Sequence, residues 1–280
     1  MHVFLNGDLV PEERAVVPVT DRGFLLGDSL FEAVPFYGGM PFRWEAHMLR
    51  LQQGLKLMRM NVPFSPKELL GFAHRLLEVN KMSDTLLRLT VSRGSGPRGY
   101  SMKLAQQPVV VMTLHPLPSE PKPQWRVITS KLRVIADDPL MQLKTGSRAR
   151  NVLARAEAED QQADEALLLN HRGEITEGAA TNFFCVLDGV VCTSPIAAGL
   201  LPGVTRAAIL EICAAAHIKT AERPITPSEA RSSQGAFLSV STMGIVEAIS
   251  LDGAELPRTP LTAKLRDAYL ELVRRETGTQ

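Results

Sequence analysis

LMQLKTGSRARNVLARAEAED, residues 140–160, carries one lysine between an apolar approach and a tight turn. Met141 and Leu143 lead into Lys144, and Thr145-Gly146-Ser147 follows it. Ala149, Val152, Leu153 and Ala156 then recur at i, i+3, i+4 and i+7, the spacing of one helical face. An amine that attacks a carbonyl needs its pKa lowered by loss of water or by a nearby cation, and Arg148 and Arg150 stand close in sequence. The plain alternative is a solvated lysine beside two solvated arginines.

Outward from this segment the chain alternates hairpins with helices. HVFLNGDLV (2–10) and SLFEAVPFYGGMPFRW (29–44) set Asn6-Gly7 and Gly38-Gly39 between apolar runs, which predicts two hairpins. From Ala46 to Met60 the period becomes helical, with Met48, Leu51, Leu55 and Met58 on one face, and a second helix is expected over Ser65–Asn80. Strands LLRLTVSR (86–93) and PVVVMTL (108–114) complete an α+β N-terminal domain over 1–114. HPLPSEPKPQ (115–124), with four prolines, reads as an extended linker to a larger C-terminal domain over 125–280 that carries Lys144. There, WRVITS (125–130) and LRVIA (132–136) read as short strands. ALLLN and EITEG flank a turn at 171–173, and NFFCVL and VVCT flank Asp188-Gly189. LLPGVTRAAILEICAAAH (200–217) reads as a loop feeding a helix capped by Thr205, with Ile209, Ile212, Cys213 and Ala216 facing the core.

Composition narrows the function classes. The 280 residues are 45% hydrophobic, enough for a substantial core, and 31 basic against 30 acidic residues leave a net charge of +1. That balance gives no electrostatic case for a nucleic-acid partner. Cys185, Cys192 and Cys213 have no metal-ligand spacing and read as buried thiols in a reducing cytosol. No apolar run reaches the ~18 residues of a membrane span, and the start of the chain lacks a basic region followed by an apolar one, so a cytoplasmic protein is expected. GSGPRG (94–99) fits a dinucleotide-binding G-x-G-x-x-G, with Glu120 about 20 residues on for a ribose contact. Its context argues against that reading, because Pro97 sits in the loop and YSMKLAQQPVVV leads to a strand rather than a helix.

LKTGSRARNVLARAEA, DEALLLNHRGEITEGAATNFF and LLPGVTRAAILEI, in that order, resemble the second half of the fold-type IV pyridoxal-phosphate enzymes. DRGFLLGDSLFEAV, HMLRLQQGL and VSRGSGPRGYS extend the likeness to the first half. The family includes D-amino-acid aminotransferases, branched-chain aminotransferases and 4-amino-4-deoxychorismate lyases. The resemblance implies a two-domain D-amino-acid aminotransferase-like α+β fold with pyridoxal 5′-phosphate as cofactor. Lys144 matches the lysine that holds the cofactor as an internal aldimine and shuttles the substrate proton. Glu177 matches the carboxylate facing the pyridine nitrogen, which keeps that nitrogen protonated so that electrons from the Cα–H bond can enter the ring. Arg50, Val204, Thr205, Ser241 and Thr242 match the phosphate contacts. Arg98 and Tyr100 match a loop that binds the substrate carboxylate and reaches the neighbouring subunit's site, which implies a homodimer. Phe31, with Phe36, belongs to the pocket walls that decide substrate handedness.

Members differ at a few of these positions. Lyases resemble this chain at Arg148 but carry a threonine where it has Ala33. D-amino-acid aminotransferases match Arg98 but carry a lysine at Pro35 and a histidine at Tyr100. FLSVSTMG and GIVEAISLDG look more like the transaminase end of the family, so transfer between an amino donor and a 2-oxo acid is the expected reaction. Aminodeoxychorismate lyase is the alternative. Ser147 and Glu247, where relatives often carry asparagine and proline, leave room for a catalytically silent cofactor-binding homologue.

Overall fold

A computed structural model describes residues 1–105, 107–118 and 123–279. The chain divides into two compact units. Among the described residues the first takes 1–118, 144–148 and 274–279, and the second takes 123–143 and 149–273.

In the first unit Asn6 and Gly7 adopt φ of 52° and 112°, the left-handed geometry of a two-residue hairpin turn, and join β1 (His2–Leu5) to β2 (Asp8–Pro11). Asp21 caps the short helix α1 (Arg22–Leu26) by accepting from Gly23 and Phe24 N–H. Gly38 and Gly39, at φ 56° and 81°, turn β3 (Ser29–Tyr37) into β4 (Met40–Pro41). With β5 (Thr85–Ser92) and β6 (Val109–Pro116) these strands form an antiparallel sheet ordered β2-β1-β6-β5-β3-β4. Two helices accompany it. α2 (Trp44–Leu57) buries Met48 and Leu51 as its period predicts; Leu55 and Met58 are only half-buried, and Trp44, His47 and Gly54 join the buried face. α3 (Pro66–Asn80) starts at a Ser65–Glu68 capping box with Pro66 in its first turn.

In the second unit the two strands expected at 125–130 and 132–136 are one, β7 (Gln124–Val134), whose register against its neighbour shifts between Thr129 and Arg133. After α4 (Ala149–Asp160) come β8 (Glu165–Asn170), β9 (Ile175–Gly178), β10 (Asn182–Leu187) and β11 (Val190–Thr193). Then follow α5 (Val204–Ala215), β12 (Thr220–Glu222), α6 (Pro227–Arg231), β13 (Gly235–Val240), β14 (Gly244–Leu251), β15 (Ala254–Glu255) and α7 (Pro260–Thr277). The mixed sheet runs β12-β11-β10-β13-β14-β7-β8-β9. Leu167, Phe183, Phe184, Phe237 and Leu238 are fully buried, as the unbroken apolar runs of β8, β10 and β13 require of strands covered on both faces. All three cysteines are free and buried.

Two helical expectations are corrected. In α4 the buried residues are Ala154 and Ala158, packed near Ile128, Val134, Ala166 and Leu168, while Ala149, Val152, Leu153 and Ala156 point outward. Short side chains bring this helix close to the sheet, so its small face is the inner one. In α5, Ile209 and Cys213 are buried as expected, but Ala216 lies exposed beyond the helix and the N-cap is Gly203 rather than Thr205. The expected linker also shortens, since β6 reaches Pro116 and β7 begins at Gln124; residues 119–122 lie outside the described residues. Among the described residues no helix is long and apolar enough to cross a membrane.

Candidate active site

Lys144 lies in the second half of the sequence yet groups with the first unit, and hydrogen bonds explain this. Phe31 N–H donates to Lys144 O and Gly146 N–H to Ser29 O, both at 2.9 Å, and Thr145 bridges Leu30. The lysine turn is thus fastened along β3. Gly146 packs closely there, and a Cβ on it would have to displace Ser29 Oγ. Lys144 is half-buried, with Nζ 4.7 Å from the Phe31 ring centroid. Two more cations share that ring, Arg88 at 3.9 Å and Arg148 at 5.7 Å. Arg150, expected beside the lysine, belongs to the second unit, with Nη1 3.6 Å from Met141 Sδ.

Arg50 is held by a buried carboxylate that pattern reading missed. Its Nε and Nη2 donate to the two oxygens of Glu32 at 2.8 and 2.6 Å, and His47 Nδ1 lies 2.8 Å from Glu32 Oε2. Glu32 and His47 are each 1% exposed. The signal was available in FEAV followed by His-x-x-Arg, since residues i and i+3 of a helix share a face. Burial alone would raise the Glu32 pKa, but hydrogen bonds and charge from Arg50 and His47 outweigh it and hold the carboxyl at about 2. Burial also pushes the His47 imidazole down, against the pull of Glu32, and the charges of Arg50 and Lys144 add to the lowering. A neutral His47 donating Nδ1–H to Glu32 follows. Arg98 and Tyr100 sit on the loop between β5 and β6, which holds no helix among the described residues, and both are exposed, Tyr100 at 86%. The G-x-G-x-x-G reading therefore lacks its helix, and Glu120 lies outside the described residues.

In the second unit Glu177 ends β9 and stands in register with Asn182 on β10, which pairs in turn with Ser239 on β13. Residues directly opposite share a sheet face, so these three side chains form a polar row. Glu177 Oε2 accepts from Leu201 N–H at 3.0 Å and from Asn182 Nδ2 at 3.3 Å, and Asn182 Nδ2 also donates to Leu201 O. Ser239 Oγ is buried without a hydrogen-bond partner among the described residues. Below the row, Glu165 accepts from Ala166, Ala179 and Ala180 N–H and from Thr181 Oγ1, gathering the turn after Glu177 around one carboxyl whose pKa burial raises.

The start of α5 lies on this same row. Gly203 caps it with no side-chain hydrogen bond to its first-turn amides, and a Cβ at Gly203 would collide with Asn182 Oδ1. Val204 and Thr205 are buried in that first turn; Ser241 and Thr242 are half-buried in the turn between β13 and β14. An uncapped helix start with no room for a side chain, an orphaned hydroxyl and a fixed carboxylate together fit a group that carries a phosphate and a protonated ring nitrogen. Glu247, one of the departures from the family pattern, is 6% exposed and ion-paired to Arg258 at 2.8 Å, a pair that satisfies its buried charge. Ser147, the other, donates to Leu26 O at 3.4 Å.

Residues 29–251 match the family model described as Amino-transferase class IV. The chain is 30% identical to a D-alanine aminotransferase of Listeria monocytogenes serotype 4b, across 99% of this chain and 98% of that one. Its fold superposes on the branched-chain amino acid aminotransferase of Escherichia coli with a TM-score of 0.92 at 26% identity, covering 99% of this chain and 95% of the other. A T.th. branched-chain amino acid aminotransferase, solved with pyridoxamine 5′-phosphate, gives 0.91 at 26% identity over 98% and 94% of the two chains.

Proposed function

The chain belongs to the class IV aminotransferase family, and from that premise we propose that it moves an amino group between an amino acid or amine and a 2-oxo acid, with pyridoxal 5′-phosphate as cofactor. When bound, the cofactor supplies an electrophilic carbonyl carbon and a ring that accepts the electron pair of the substrate Cα–H bond. The observation that carries the reading is Lys144 itself, fastened along β3 with its Nζ near the Phe31 ring, which Arg148 also approaches. Its amine would hold the cofactor when that is bound and, as the base of the site, would carry the proton taken from the substrate Cα on Nζ. Glu177, fixed by Asn182 and Leu201, holds a proton on the ring nitrogen. Arg50 and the first turn of α5, with Thr205, Ser241 and Thr242, bind the phosphate. Arg98 and Tyr100 orient the substrate carboxylate.

Arg88 extends the reading to the acceptor. Its guanidinium lies over Phe31 on the ring that Lys144 shares, and among the described residues it forms no ion pair. Burial disfavours its charge, which a bound anion would offset. A 2-oxo acid with a second carboxylate fits that need. A second copy of the chain covers the outward face of α4, where Val152 and Leu153 are 65% and 56% exposed, and we read the enzyme as a cytoplasmic homodimer.

The test is an absorbance spectrum of the purified protein with pyridoxal phosphate, followed by separate additions of D-alanine, L-leucine, L-glutamate and (R)-1-phenylethylamine. Conversion of the visible band to the amine form of the cofactor by one of them is the expected result. Lys144→Ala should abolish both the lysine-bound band and turnover. A wild-type band that no donor converts would overturn the transaminase reading, and a Lys144→Ala variant that keeps band and turnover would remove Lys144 from its role.

A further inference from the structure

The buried ion cluster beneath the Arg98–Tyr100 loop has no part in the chemistry assigned so far. Asp28, in the turn before β3, takes two guanidinium groups at once. Arg93 Nε and Nη2 donate to its two oxygens at 2.6 and 2.9 Å, and Arg22 Nε donates to Oδ2 at 2.9 Å. Arg22 is 4% and Arg93 5% exposed, an unusual depth for arginine, tolerable only when the charge is paired and the remaining N–H groups find acceptors.

Those remaining donors leave the cluster in two directions. Arg93 Nη2 and Nη1 reach Met58 O and Arg59 O, the carbonyls closing the C-terminal end of α2, at 2.9 and 3.3 Å. Arg22 Nη1 and Nη2 reach Gly99 O and Tyr100 O at 2.9 and 3.4 Å. Asp28 is therefore a hub, Arg93 its arm to the helix bearing His47 and Arg50, and Arg22 its arm to the loop bearing Arg98 and Tyr100. The loop is otherwise poorly tied: Tyr100 is 86% and Leu104 77% exposed, and Gly99 sits at φ 104°, where the chain needs glycine. Gly96 packs so closely that a Cβ would lie 3.2 Å from Arg22 Cδ.

We propose that Arg22 is a positioning residue for substrate recognition: its buried guanidinium, anchored on Asp28, fixes the Gly99–Tyr100 backbone and so presents Arg98 and Tyr100 to the substrate carboxylate. This rests on the transaminase reading given above. The planar fork matters, because one group must span a carboxylate and two carbonyls, which an ammonium cannot do. Arg22→Lys keeps the charge opposite Asp28, and with it the fold, but releases the loop carbonyls. Arg93→Lys loosens the other arm and leaves the loop bonds in place.

Two measurements on the cofactor-loaded protein test this. Tryptic cleavage after Arg98 and Lys103 should run about tenfold faster in Arg22→Lys and at the wild-type rate in Arg93→Lys. In steady-state assays, Arg22→Lys should raise KM for the amino-acid donor about tenfold while kcat stays within about twofold. Unchanged cleavage in Arg22→Lys, or equal acceleration in both variants, overturns the clamp, as does a loss confined to kcat. If the wild type converts no amino acid the transaminase reading fails, and the cleavage rates still decide whether Arg22 holds the loop.

Discussion

At the scale of single residues, Glu32 has the most consequential environment. Its carboxyl is held at about 2, below the ordinary 4.5, because hydrogen bonds from Arg50 and His47 outweigh the cost of burial. A group whose folded pKa is depressed contributes stability above its unfolded pKa and loses it as pH falls through the folded one. The window is therefore pH 5 down to 2, and the difference amounts to roughly 3 kcal/mol. His47 acts in the same sense at higher pH: kept neutral by burial, it must be charged on acid unfolding, so stability also declines below about pH 6.5. Glu32→Gln should cost about 3 kcal/mol at pH 7, since it leaves the Arg50 charge without its counter-ion, and should flatten the acid limb of the melting-temperature profile. Thermal melts of both proteins from pH 7 to 2.5 decide it; parallel acid limbs would mean that Glu32 is not the group titrating there.

At the scale of elements, α5 and the β9–β10 pair work as one unit through Gly203. The glycine is at φ −67°, so its backbone is unstrained and the requirement is for space alone. A Cβ there displaces Asn182, and with it a hydrogen bond that helps fix Glu177. Gly203→Ala should therefore weaken binding of pyridoxal phosphate about tenfold, close to the value of one charge-assisted hydrogen bond. Absorbance titration with the cofactor measures it, and wild-type affinity would show that Asn182 relaxes without cost. Elements of this kind were legible in the sequence to unequal degrees. The Asn6-Gly7 and Gly38-Gly39 hairpins could be read because positive φ at two successive positions selects a narrow set of residues, a purely local constraint. The buried side of α4 could not, because Val152 and Leu153 follow a helical period while the sheet accepts the closer approach of Ala154 and Ala158. Apolar periodicity likewise passes over Glu32, His47, Asn182 and Arg88, whose partners come from other strands and helices. Lys144 and Glu177 were found through family motifs. The fastening of Lys144 to β3 depends on pairing between residues more than a hundred positions apart, which no local pattern reports.

At the scale of the whole molecule, the near-balance of charge, +1 over 280 residues, leaves apolar burial as the main drive for self-association. The homodimer proposed above would place its contact on the outward face of α4, where Ala149, Val152, Leu153 and Ala156 stand on one side of a helix whose opposite side is already packed. Covering Val152 and Leu153 is worth about 2 kcal/mol each. The double substitution Val152→Asp with Leu153→Asp removes that gain and requires two carboxylates to lose water at the contact, so the dimer dissociation constant should rise by about a thousandfold or more. The intramolecular packing of α4 rests on Ala154 and Ala158, so the fold of the chain should survive the change. Sedimentation equilibrium at micromolar concentration is the measurement, with far-ultraviolet circular dichroism as the check on folding. A wild-type dimer and a folded, monomeric double variant are expected. A wild type that stays monomeric, or a double variant that still dimerises, would mean that some other surface, or none, joins two copies.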